Sequence, residues 1–186
     1  MTLAFLEKVT LCPRQLGMSD LANVRRAGVS DRAILDATYV CVGFNIITRI
    51  ADALGFKIPA EELFVRAAKL LRIFGYRRLS GFWISGSNKH DPHAKKMERL
   101  RHAVLSGPGS LPHHVRQAIS KGVGLPGALE VFVQKINAEA STVTDDDIDE
   151  LRAHYTDDQI FEAIVSAAVG AGLFRLDCVL NLLRSN

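Results

Sequence analysis

Aromatic residues are scarce in this chain: nine Phe, three Tyr and a single Trp make up 7% of 186 residues, so its core has to be built from aliphatic side chains. Cysteine is scarcer. Cys12, Cys41 and Cys178 are odd in number, widely separated and without a C-x-x-C pair, which excludes a disulfide framework and dithiol or zinc-ribbon chemistry. A reducing compartment follows as the default. Runs of one charge are missing as well. Lys and Arg number 23 against 20 Asp and Glu, and the pI of 8.9 rests on this small excess spread along the chain, so a nucleic-acid partner is not expected. No window of about 18 apolar residues is free of charge, because Arg49 and Asp52 interrupt one long run and Arg175 and Asp177 the other. The first fifteen residues hold acid and base within their apolar stretch and do not read as a signal peptide. The expectation is a cytoplasmic protein with no membrane segment. Finally, no stretch alternates with period two, which leaves an all-α fold of about eight helices.

What is present is aliphatic. Hydrophobic residues reach 48% against 23% charged, with a mean hydropathy of +0.11, less surface polarity than a typical monomer has, so some apolar surface is expected to meet a partner. The length suits one domain over 1–186. Within it the sequence repeats. FLEKVT from Phe5 aligns with FVQKIN from Phe132, and Asp20, Leu21, Val24 and Arg25 fall on Asp147, Ile148, Leu151 and Arg152. After one inserted residue, AGVSDRAILDA from Ala27 meets AHYTDDQIFEA from Ala153, pairing Asp36 with Glu162 and Arg49 with Arg175. Two copies, at about 5–55 and 132–183, joined by a loop and helices over 60–130, suggest a duplication whose halves pack about a pseudo-twofold axis.

Each copy has the pattern of helix, helix, long helix. Thr144 before DDDIDELRAH places acids in a first turn, and Thr156 with Gln159 forms an S/T-x-x-Q box; Ser19 and Ser30 are the weaker equivalents. Ile34, Leu35, Thr38, Val42, Ile46, Ile50 and Leu54 recur at threes and fours and predict a helix over 31–54. A partner helix is expected over 157–183 and others from Ala94 to Gly107 and around VRQAIS, with residues 75–93 as an ordered crossing loop.

Among candidate sites, Cys41, Asn45, Arg49 and Asp52 share one stripe of the long helix. A buried Arg is expensive unless paired, so Arg49 and Arg175 are each expected to find a carboxylate among Asp36, Asp52, Glu162 and Asp177. Such pairing between the copies is the structural reading. The binding reading makes Asp36, Cys41, Asn45, Arg49, Glu162 and Arg175 the lining of a small-molecule pocket. His90 and His93 lack a third ligand, so no metal is expected, and no cofactor is implied. His113 and His114 read as surface, and the SGPGS of 106–110 follows a helix and lacks the Gly-Lys-Ser/Thr of a phosphate loop.

The stretches RRAGVSDRAILDATYVCVGFNIITRIADALGFKIP and FVQKINAEASTVTDDDIDELRAHYTDDQIFEAIVSAAVGAGLFRL resemble the carboxymuconolactone decarboxylase superfamily, in its alkyl hydroperoxidase D-like, peroxidase-related branch. The resemblance implies an all-α helical fold assembling into homo-oligomers such as trimers or hexamers, with a dimer also compatible. In the peroxidase branch it implies antioxidant activity from a C-x-x-C-x-x-x-H motif assisted by an upstream Glu. The motif's cysteines would fall on Pro13 and Leu16 and its histidine on Asp20; a one-residue slip brings Cys12 into place but leaves Gln15 at the second position. The second copy has Ala140, Val143 and Asp147 there. A dithiol cycle needs an attacking thiolate and a second thiol to release it, so the resemblance implies a member that has lost that site. Its expected role is binding a small molecule or partner. The enzyme alternative is a residual peroxidase or acid/base catalyst using Cys12 and Asp20, and a purely structural subunit is a third reading.

Overall fold

Helix boundaries in this chain fall where side chains satisfy unpaired backbone groups. In this computed structural model, which describes residues 2–57, 61, 63, 65, 66, 68, 69, 72 and 92–185, the chain divides into two units, Met1–Gly55 with His93–Asn186, and Phe56–Pro92. The second unit is helical at 61, 63, 65, 66, 68, 69 and 72. All candidate site residues lie in the first.

The described residues form an all-α structure of eight α-helices: α1 (Thr2–Leu11), α2 (Met18–Arg26), α3 (Asp31–Ala53), α4 (Pro92–Leu105), α5 (His113–Lys121), α6 (Gly127–Glu139), α7 (Asp145–Arg152) and α8 (Asp157–Arg184). Short 3-10 turns, Pro13–Gln15 and Ala140–Thr142, follow α1 and α6. The boxes at Thr144 and Thr156 form: Thr156 accepts from the Gln159 N–H while its own N–H donates to Gln159 Oε1 at 3.0 Å, and Thr144 N–H donates to Asp147 Oδ2 at 2.8 Å. Ser30 accepts from the Ala33 N–H at 3.2 Å. Ser19 does not cap. α2 begins one residue before it, after Gly17, whose N–H donates to Asp20 Oδ2 at 2.9 Å, so the N3 acid does the work expected of the serine. Of the expected crossing loop, His93 belongs to the first turn of α4, while residues 75–91, including Trp83 and His90, lie outside the described residues.

α3 and α8 are the long central helices and pack along one another. Their seam holds Tyr39, Val42, Ile46, Ala168, Val169 and Leu176. Close approach depends on α8 glycines: a Cβ at Gly172 would lie 2.6 Å from Ile46 Cγ1, and one at Gly170 would lie 2.0 Å from the Ser120 carbonyl oxygen of α5. On one side of the seam α1, α2 and the end of α8 bury Phe5, Val9, Leu21, Val24, Ile34 and Val179. On the other, α5 to α8 bury Ile119, Phe132, Ile136, Leu151 and Ile164 among others. α3 and α8 are long and apolar enough to cross a membrane by length and composition. For α8, 67% of that apolar window is buried inside the protein, as a core helix requires, against 33% for α3.

The order helix, 3-10 turn, short helix, long helix occurs over 2–53 and again over 127–184, with matching polar contacts. Lys8 pairs with Asp20 at 2.7 Å and Lys135 with Asp147 at 2.6 Å; Arg25 pairs with Asp31 at 2.7 Å and Arg152 with Asp157 at 2.9 Å. The bond to Lys8 and the Gly17 N–H hold the Asp20 carboxyl below its ordinary 3.8. Burial pushes Asp147 up, but its bonds to Lys135 and Thr144 outweigh this and leave it lowered too. Both carboxylates therefore add stability that is present above their ordinary value and is lost as pH falls through the depressed one. D20N and D147N are each expected to lower stability at pH 7 by roughly 1 kcal/mol and to flatten its decline below pH 4. Urea midpoints recorded from pH 7 to pH 3 check this; an acid limb unchanged in both variants would show that neither pair matters.

Candidate functional site

The centre of the molecule is where α3 and α8 carry Arg49 and Arg175. Four residues before Arg49 on the same helix face, Asn45 Oδ1 accepts from Arg49 Nη1 at 2.9 Å, while Arg49 Nη2 reaches the Asn137 carbonyl at 3.5 Å. Arg175 Nε donates to the Thr10 carbonyl at 3.1 Å and its Nη1 to the Ala171 carbonyl at 2.8 Å. The arginines thus reach across reciprocally, the one on α3 to the end of α6 and the one on α8 to the end of α1. Thr10 and Asn137 lie in the last turns of α1 and α6, where carbonyls have no intrahelical partner and the helix dipole is negative.

The expected carboxylate partners are elsewhere, and that expectation is corrected. Neither Arg49 nor Arg175 has an ion pair among the described residues; Asp52 acts on Arg49 only through its field. Asp36 is bound by Arg32 at 3.1 Å and lies 3.9 Å from His93 Nε2. Glu162 accepts from the Ser110 and Leu111 N–H groups at 2.6 and 2.7 Å. The SGPGS segment that lacks a phosphate-loop signature therefore does receive an oxyanion, from its own chain. Burial lowers the Arg49 guanidinium from its ordinary value, with Asp52 partly offsetting. Burial, and then the charge of Arg49, push Arg175 down to about 10, the thiols of Cys41 and Cys178 pulling the other way; both remain cations at neutral pH.

Around this pair the structure brings Cys41, Asn45 and Thr10 together. Asn45 Nδ2 donates to Thr10 Oγ1 at 3.2 Å and to the Cys41 carbonyl at 3.0 Å, and Thr10 Oγ1 lies 3.3 Å from Cys41 Sγ. Of the six residues expected to line one pocket, Cys41, Asn45, Arg49 and Arg175 belong to one network, whereas Asp36 and Glu162 do not. Asp20 is engaged by Lys8 and Gly17.

A cleft of about 1280 Å³ opens beside Arg175. Its walls come from α4, the turn after α1, the end of α5, α6 and α8, and they include Cys12, Arg14, Lys121, Asn137, Ala171 and Arg175. Cys12 is half-buried and unbridged at the start of the Pro13–Gln15 turn. Arg49 does not line the cleft; its counterpart Arg175 does. Arg14 lies over the Phe174 ring with its guanidinium carbon 4.8 Å from the centroid. The Oδ1 of Asn137 is shut off from solvent without a hydrogen-bond donor. A second cavity of about 440 Å³ is lined by His114, His154 and Tyr155 among mainly apolar residues. Among the described residues no group of three or more His, Cys, Asp or Glu is arranged to hold a metal ion.

Sequence reasoning missed Arg116. It is 4% exposed and donates to the Val104 carbonyl at 2.6 Å and to the Gly107 carbonyl, closing the end of α4. A buried cation in HHVRQAIS, a short helix starting at a proline, was its one visible signal. Comparison with family models, curated proteins and solved structures finds no match to this chain.

Arg49→Ala strips the donors from Asn45 Oδ1 and from the last turn of α6, and is expected to cost about 3 kcal/mol. Urea denaturation checks it: an unchanged midpoint would mean the guanidinium does not hold the crossing.

Proposed function

We propose that this chain is an alkyl hydroperoxidase D-like, carboxymuconolactone decarboxylase-family protein that has lost dithiol peroxidase chemistry and binds a small molecule in the cleft beside Arg175. The observation that carries the binding reading is that cleft, which joins a half-buried thiol and a buried guanidinium in a space large enough to admit a small ligand. Support for two related halves comes from their contacts. The Lys–Asp and Arg–Asp pairs recur at aligned positions, and Arg49 to Asn137 mirrors Arg175 to Thr10, the i-to-j, j-to-i exchange of a twofold arrangement.

Loss of the dithiol step is supported at the site itself: Pro13 and Leu16 stand in the first half, and Ala140 and Val143 in the second, where the resemblance puts cysteines. The cleft position of Cys12 favours a second reading, a residual one-thiol peroxidase. Hydroperoxide consumption by wild type and Cys12→Ser separates the two. No Cys12-dependent turnover is expected; turnover lost on substitution would overturn the first reading in favour of the second.

The protein is further read as a cytoplasmic homo-oligomer without a membrane segment. On α3 the apolar Val40, Phe44 and Ile47 are 57–64% exposed, while the aligned face of α8, at Ser166 and Gly170, is buried with α5 packed against it. Gly43 beside Phe44 has open space where a Cβ would be. Light scattering at micromolar concentration is expected to give a dimer or larger for wild type and a monomer for Phe44→Asp. A monomeric wild type would overturn the oligomer.

A further inference from the structure

The two central arginines each leave one nitrogen without an acceptor among the described residues, Nε in Arg49 and Nη2 in Arg175. Arg49 has the side-chain oxygen of Asn45 four residues before it; Arg175 has Ala171 at that step. Both Ala171 and Arg175 line the cleft. The Nε of Arg49 is shut off from solvent, whereas the Nη2 of Arg175, without an acceptor among the described residues, belongs to a side chain that lines the cleft although the residue is only 6% exposed.

The cleft as a whole carries four cations, Arg14, Arg101, Lys121 and Arg175, against two acids, Glu98 and Asp177. Arg101 has only a long surface contact to Glu98, at 3.8 Å; neither Arg14 nor Lys121 has an ion pair among the described residues. Leu105, Leu173 and Phe174 add apolar wall. The protein answers a comparable deficit differently at the 109–111 loop, where two bare N–H groups receive Glu162. Among the described residues no side chain does this for Arg175.

We infer that the cleft takes a small organic oxyanion, a carboxylate or phosphate headgroup on an apolar body, whose oxygen pairs with the open Nη2 of Arg175. The inference rests on the small-molecule reading of the cleft and specifies its ligand class. Arg175 Nη2 donates to the headgroup, and Arg14 and Lys121 supply the surrounding positive field. Bidentate and charge-assisted bonds to a planar guanidinium are the chemistry that favours such headgroups.

Cys12 supplies the readout, because a ligand in the cleft shields its thiol. Alkylation of Cys12 by iodoacetamide, followed by mass spectrometry on the full-length chain at constant ionic strength, is measured with benzoate, phenyl phosphate and neutral benzyl alcohol as probes. Benzoate or phenyl phosphate, whichever headgroup fits, is expected to slow alkylation saturably, with benzyl alcohol far weaker. Arg175→Gln is expected to weaken the protection by about tenfold or more. The exposed pair Arg14→Ala/Lys121→Ala, which leaves the core untouched, is expected to weaken it by about threefold or more, so the test stands even where the Arg175 variant fails to fold. Protection by benzyl alcohol equal to that by the anions, or affinity unchanged in the Arg14/Lys121 variant, would overturn the oxyanion and leave the small-molecule cleft in place. Absence of protection by all three probes would remove both.

Discussion

Three guanidiniums, those of Arg116 and Arg175 buried and that of Arg49 half-buried, close three helix C-termini, and the arrangement of the main unit hangs on them. Arg49 ends α6, Arg175 ends α1 and Arg116 ends α4. A last turn leaves carbonyls unpaired and concentrates the negative pole of the helix there, so a buried cation finds in it both acceptors and compensating charge. The acids follow the complementary rule. Asp20, Asp147 and Glu162 sit on unpaired N–H groups ahead of α2, α7 and α5. Backbone ends thus act as the counter-ions, and the arginines need no carboxylates.

This division explains what could be read from the sequence and what could not. Helix class and bounds were legible because they depend on local chemistry: the threes-and-fours spacing of Ile34, Thr38, Val42 and Ile46, and the caps at Ser30, Thr144 and Thr156. The importance of Arg49 and Arg175 was legible as well, from their aligned positions in apolar helices. Their partners were not. A carboxylate is a letter in the sequence, whereas the carbonyl of Thr10 or Asn137 is available to every residue type, and only the crossing of helices brings it into reach. The same blindness hid Arg116 and misplaced Glu162, whose acceptor role depends on the backbone path at Ser110. The cleft was out of reach for a related reason, since five separated segments wall it.

The aligned stretches differ at positions that shape the surroundings of the central helices. Asn45 against Ala171 gives one arginine a side-chain oxygen that the other lacks. Phe44 against Gly170 makes one long helix bulky and exposed where the other is bare enough for α5 to lie on its backbone.

The bond from Arg175 to Thr10 joins residues 165 apart in sequence, and it has a kinetic meaning. α8 is the last of the described helices, so during synthesis α1 to α3 emerge long before the strand of contacts that completes their seam. Until α8 arrives, Val42 and Ile46 lack the α8 half of their seam, and the Thr10 carbonyl lacks the guanidinium that closes it. Late closure of this kind raises the cost of loop formation before native contacts reward it, and it prolongs exposure of apolar surface on the nascent chain. The feature that fixes the finished molecule so firmly is therefore also the one that makes its birth dependent on the final helix, and places the hazard of misassembly in the interval before that helix is free.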